Sequence, residues 1–121
     1  MMAANGKGLT FDFKDEGSHC LVTLVGDLNM FSAPEFRVNL VKQLESGVKR
    51  FLLDLSDLAF VDSSGIGVLV SFVSMARKTE GAKIVLCGLN PQIRSIFEVT
   101  RLLSVFNVVE DRPAAKQEIQ A

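Results

Sequence analysis

The segment Asp62-Ser63-Ser64-Gly65-Ile66-Gly67 sets two adjacent hydroxyls behind a carboxylate and among glycines. It follows a strand-like run, Phe51 to Leu55, and leads into a helix-like run beginning at Ile66. The first turn of a helix presents backbone N–H groups that have no intrahelical partner and carry partial positive charge. A phosphate placed there meets donors already in position. Ser63 therefore looks like a switch position. Serines here can also act simply as helix caps, worth about 1 kcal/mol over alanine. Capping does not call for Gly65 and Gly67, each of which weakens a first turn by about 1 kcal/mol. Close approach of a partner, or tight packing of the turn on a sheet, accounts for them.

Catalytic readings fit these residues poorly, and the chain is read as a non-enzyme. A nucleophile elbow needs G-x-S-x-G, but Val61 stands two residues before Ser63, and the single histidine, His19, lies in an early strand-like segment. Phosphate-cradling glycine fingerprints are absent. Asp54, Asp57 and Asp62 invite comparison with a receiver domain, but a receiver alternates strand and helix from its first strand, whereas this chain opens with a hairpin.

The elements that must hold the motif read as follows. Thr10–Phe13 and Cys20–Val25 are strands joined by a polar turn. Ser32 with Glu35 reads as a capping box, with Phe31 and Phe36 at staple positions, opening a helix that carries Phe36, Leu40 and Leu44 and stops at Gly47. Phe51–Leu55 is a third strand and Ser64 to about Thr79 a second helix. The wide apolar arc of that helix, extended by Val68 and Met75, calls for a neighbouring helix or a partner as well as a core, and the neighbouring helix is favoured because helices on one face of a small sheet touch each other. Lys83–Cys87 is a fourth strand, Asn90 and Pro91 open a third helix, and Val105–Val109 is a short fifth strand. A hairpin followed by β-α units implies an α/β fold, a mixed sheet of four to five strands with helices packed on it.

Composition agrees with one soluble domain: 121 residues, 48% hydrophobic and 22% charged. The formal net charge of −1 gives no footprint for direct nucleic-acid or membrane binding. No signal-peptide or bilayer-length apolar run is found, so the chain reads as cytoplasmic. Cys20 and Cys87 lack metal-ligand spacing and read as buried reduced thiols; no metal or cofactor is expected.

Three blocks resemble a known family: GDLNMFSAPEF (Gly26–Phe36), FLLDLSDLAFVDSSGIGVLV (Phe51–Val70) and GLNPQIRSIFEVTRLLSVFNV (Gly88–Val108). In this order and spacing they are similar to the STAS domain, specifically to bacterial anti-sigma factor antagonists. The resemblance implies a STAS domain over residues 9–110, with a flexible N-terminus at 1–8 and a short helix or frayed tail at 111–121. It implies phosphorylation of Ser63 by an anti-sigma factor serine kinase of the ATPase fold, reversed by a serine phosphatase. Partner binding is then expected at Asp27, Asn29, Met30, Phe31, Ser32, Asp62, Ser64, Gly65, Ile66 and Gly67.

Two positions depart from the family pattern. Asn29 stands where an acidic residue is usual; it keeps an oxygen acceptor and loses the charge. Arg101 replaces a frequent glycine, at a cost of about 1 kcal/mol if its backbone is left-handed. Asn29 is also the feature that favours an alternative, a constitutive STAS scaffold within a transporter, lipid-transport or other signalling complex.

Overall fold

The computed structural model describes residues 8–121 and, upstream of them, the backbone of residues 2–4. Among these, six strands form one sheet in sequence order: β1 (Met2–Ala4), β2 (Leu9–Asp15), β3 (Cys20–Leu28), β4 (Arg50–Val61), β5 (Lys83–Cys87) and β6 (Asn107–Val109). The pairs β1–β2 and β2–β3 are antiparallel, and β3 through β6 run parallel. The crossovers are α1 (Ala33–Glu45), α2 (Ser63–Arg77) and α3 (Pro91–Val99), the last followed by a 3-10 turn, Leu102–Ser104. A final helix, α4 (Arg112–Gln120), closes the chain.

The α/β mixed sheet agrees with the sequence reading, with β1 as an added strand. Of the segment expected to be flexible, residues 1 and 5–7 lie outside the described residues, while Met2–Ala4 pairs with β2. At the other end, residues 112–120 are helical.

Alternation along the strands sorts residues onto two faces. Phe11, Val22, Leu24, Phe51, Leu53 and Leu55 turn to the side where α1, α2 and α3 pack, and form the main core with Phe36, Leu40, Phe72 and Phe97. Phe11 meets Phe36, and Phe51 meets Phe72, edge to face at centroid distances of 5.2 and 5.0 Å. Val68 is buried and α1 lies beside α2, so a neighbouring helix takes up the extra apolar flank. On the reverse face Leu21, Leu52, Val85 and Cys87 are sealed by Ala115 and Ile119 of α4. Burial pushes the Cys20 thiol up to about 11 and the Cys87 thiol up to about 12, so both stay protonated and unreactive.

Helix α4 is clasped by polar groups as well. Arg112 donates from Nε (2.9 Å) and Nη2 (2.6 Å) to Asp54 Oδ2, while Arg50 and Lys83 cap the far end through the Ile119 and Glu118 carbonyls. Burial works against ionisation of Asp54. The hydrogen bonds from the Ser56 side chain and amide, together with Arg112, outweigh it and hold the carboxyl below its ordinary value.

Two boundaries differ from the sequence expectation in a way that matters for the site. Strand β3 runs on to Leu28 and β4 to Val61, because the pairing continues past two irregularities in register. Gly26 makes the first extension practicable. Its φ is +107°, and a Cβ there would collide with the Gly8 carbonyl, which accepts the next amide, Asp27 N–H, at 2.8 Å. Both parallel strands therefore end side by side, delivering the residues after Leu28 and Val61 to the same edge.

Candidate functional site

Where β4 ends, Asp62 has extended backbone and caps α2: its Oδ1 accepts from Gly65 N–H at 3.0 Å. The sequence reading had given capping to Ser63 or Ser64 and started the helix at Ser64. The structure corrects this, with Ser63 at the first and Ser64 at the second helical position, both exposed. With three successive residues able to cap, the backbone decides. Asp62 is the last residue whose amide still serves the strand, donating to the Leu28 carbonyl at 3.1 Å. Among the described residues, the Ser63 and Ser64 amides have no acceptor, so they remain open to an anion at the helix N-terminus.

The second oxygen of Asp62 reaches across to the neighbouring loop, where Oδ2 accepts from Met30 N–H at 2.9 Å. One carboxylate thus ties the α2 N-terminus to the segment between β3 and α1. Within that segment Asn29 Oδ1 accepts from the Phe31 amide at 2.9 Å and the Ser32 amide at 3.2 Å, a side-chain-closed turn. Ser32 Oγ donates to the Asp27 carbonyl at 2.8 Å and accepts from Asn29 N–H at 3.0 Å.

The expected capping box and staple are therefore not formed. The Ser32 side chain makes no cap bond to α1, because its hydroxyl closes the loop instead. Phe31 turns outward at 62% exposure while Phe36 is buried.

The structure brings all the expected site residues to this one edge but gives them different situations. Met30 is 60% exposed and stands beside Phe31. Ser63, Ser64 and Gly67 are exposed, Asp27, Asn29, Asp62 and Ile66 half-buried, and Ser32 and Gly65 buried. Ser32 and Gly65 thus hold the surface in shape from below. The glycines separate cleanly. A Cβ on Gly65 would meet the Leu28 carbonyl oxygen at 2.5 Å and a Val61 methyl at 2.7 Å, so packing of the turn on the sheet requires glycine there. A Cβ on Gly67 would meet nothing within 4 Å. The fold does not require that glycine.

Sequence reasoning missed the groove beside this turn, about 420 Å³, whose lining includes Met30, Ala33, Pro34, Arg37, Gly67 and Val68. Its only signal was the exposed face of the α1 N-terminal turn, which periodicity alone does not mark. Among the described residues no cluster of His, Cys, Asp and Glu can hold a metal ion, and no helix is long and apolar enough to cross a membrane. Arg101 adopts the left-handed conformation anticipated for it, at φ 60° and ψ 29°.

The fold and this edge define a class: a small α/β binding domain that presents a serine at a helix N-terminus, bordered by a loop with outward apolar side chains. The STAS domain family model matches residues 10–115, and the chain belongs to that family. BtrV of Bordetella bronchiseptica, which carries the provisional name of an anti-sigma factor antagonist, is 34% identical over 95 residues, 78% of this chain and 81% of BtrV. The anti-sigma-B factor antagonist of Bacillus subtilis is 28% identical over 100 residues, 83% of this chain and 90% of that protein. Among solved structures, the Bacillus cell fate determinant SpoIIAA in its phosphorylated form superposes with a TM-score of 0.69 at 16% identity, over 89% of this chain and 96% of that one. The non-enzymatic reading of the sequence agrees with the family and with the antagonist names of the two sequence relatives.

Proposed function

We propose that this protein is a cytoplasmic anti-sigma factor antagonist switched by phosphorylation of Ser63. Unphosphorylated, it binds an anti-sigma factor serine kinase of the ATPase fold and so frees a sigma factor; phosphorylated, it lets go, and a serine phosphatase resets it. The observation that carries this reading is the Asp62 carboxylate, which joins the exposed Ser63 turn to the loop bearing Met30 and Phe31. Apolar side chains that a soluble domain leaves outside, beside open backbone donors, fit a protein interface that an anion can disrupt. The names of the sequence relatives point the same way.

The physics of the switch is asymmetric. A phosphate on Ser63 sits where the helix end favours negative charge, so the fold tolerates it. A partner packed over the same turn must accommodate about two further negative charges next to Asp62. If that costs about 2–5 kcal/mol, affinity falls by roughly 30-fold to several thousand-fold.

Asn29 favours a second reading, a constitutive scaffold. Its side-chain oxygen closes the loop through two N–H bonds that an aspartate would accept equally well, so the turn itself does not select the uncharged residue. The test is titration of the kinase with the unphosphorylated and the Ser63-phosphorylated protein by calorimetry. Switching predicts binding of the first and at least tenfold weaker binding of the second. Equal affinities would leave the scaffold reading in possession.

A further inference from the structure

Strand β4 outruns one of its neighbours. It pairs with β5 only over Arg50–Asp54, while its later residues go on pairing with β3 as far as Leu28 and Val61, so the sheet ends in a parallel two-strand projection. Register fixes what lies on each side of it. Val25 stands across from Asp57, and Phe60 across from Asp27. Because their strand neighbours Leu24, Leu28, Leu58 and Val61 turn into the main core, these two pairs turn to the reverse face.

Parallel strands are ordinarily covered on both faces. Nearer the start of the strands this reverse face is covered, since Ala115 and Ile119 of α4 seal Leu21, Leu52, Val85 and Cys87. On the projection it is bare. Val25 is 44% and Phe60 45% exposed, and neither belongs to a core cluster.

Helix α4 also shows which chemistry the face accepts. Its apolar residues are accompanied by cations, with Arg112 bonded to Asp54 at 2.6 Å and Lys116 lying 3.9 Å from Glu16. The projection repeats the apolar and acidic half of that pattern. Each exposed apolar side chain has a carboxylate opposite it, and among the described residues neither Asp27 nor Asp57 has a side-chain hydrogen bond or ion pair. Charge then decides among occupants. A second copy packed through the same face would set carboxylate against carboxylate, and an anionic membrane or nucleic acid would be repelled. A cationic helix with an apolar stripe finds both its complements.

We propose that the reverse face of the β3–β4 projection is a second docking surface, for a basic amphipathic helix of a partner protein. Its apolar side chains lie on Val25 and Phe60, and its Lys or Arg side chains pair with Asp57 and Asp27. The surface faces away from α1 and α2 and does not depend on the function proposed for Ser63.

The probe is a peptide of about 18 residues, five helical turns, with leucines on one face, lysines along its flanks and alanines elsewhere. The control carries glutamate in place of every lysine. Nitrogen-15 NMR of the full chain is expected to show saturable, one-site shifts centred on the Val25, Asp57 and Phe60 amides with the lysine peptide, and none with the glutamate peptide. Asp57→Lys and Phe60→Ser, both at exposed positions, are each expected to keep the fold and to weaken binding at least about tenfold. The proposal is overturned by the absence of saturable shifts up to about 1 mM lysine peptide, by shifts centred elsewhere, by equal binding of the glutamate peptide, or by undiminished binding in a folded Asp57→Lys variant. A dimer in sedimentation that Phe60→Ser dissolves would assign the face to a second copy and overturn it as well.

Discussion

Polar groups do opposite jobs at the α4 clasp and at the Ser63 edge. Around α4 every strong polar tie closes on the protein itself: Arg112 on Asp54, Arg50 and Lys83 on the last helical carbonyls. Beneath those ties apolar side chains are sealed. At the Ser63 edge, Asp62, Asn29 and Ser32 likewise bond within the protein, yet the side chains they position, Met30 and Phe31, face outward. The first region spends its hydrogen bonds on hiding surface, the second on displaying it. Stability and partner affinity should therefore respond to different residues, and substitutions can show whether they do.

The largest stability effect is expected inside the Ser63 edge, at the glycine the fold requires. Gly65→Ala forces a Cβ against the Leu28 carbonyl and Val61, and urea denaturation is expected to show a loss of about 2–3 kcal/mol. A loss below about 0.5 kcal/mol would mean that the turn is not packed as described.

Next comes the clasp. Arg112→Ala leaves the Asp54 carboxylate with fewer partners. Because the Arg112 side chain is 42% exposed, the effect is discounted to about 1–2 kcal/mol, with kinase affinity unchanged. The sign with pH follows from the lowered Asp54 value. Its stabilisation is present above the unfolded carboxyl value of about 3.9 and is lost as pH falls through the lower folded value. Denaturation at a series of acidic pH values should therefore show a shallower acid loss in Asp54→Asn than in the wild type.

Gly67→Ala separates the two properties most sharply. With open space around the new Cβ, helix propensity should raise stability by up to about 1 kcal/mol, while calorimetry should show kinase affinity falling about tenfold. A more stable variant with unaltered affinity would remove Gly67 from the interface.

The smallest effect is expected at Ser64. Since Asp62 is the cap, Ser64→Ala should change stability by less than about 0.5 kcal/mol, whereas Asp62→Ala should cost about 1–2 kcal/mol. Thermal melts of the pair check the assignment.

Residue periodicity and turn chemistry were enough to read the order of the helices and of five strands, because each apolar stripe and each glycine stop is a local signal. The core positions Phe36 and Leu40 followed from the same spacing. What sequence reading missed depends on contacts between distant segments. The extensions of β3 and β4 rest on mutual pairing, and of the two readings given for 111–121, a short helix or a frayed tail, the helix is the one held in place, by a tie from Arg112 to Asp54, 58 positions earlier. The site shows the same division. The D-S-S-G-I-G block and the G-D-L-N loop were both picked out as partner surface, but the bond between them, Asp62 to Met30, spans 32 positions and has no local signature. The capping box failed for a related reason: Ser32 had two uses for one hydroxyl, and the loop took it.

The central claim, that the exposed serine at the first position of α2 is the switch, is most directly tested by incubating the protein with an anti-sigma factor serine kinase and ATP and locating the phosphate by tandem mass spectrometry. The account predicts a single phosphate on Ser63, absent in Ser63→Ala, which should still bind the kinase and not be released by ATP. Phosphate on Ser64 or elsewhere, or a Ser63→Ala variant that is still released, would contradict it.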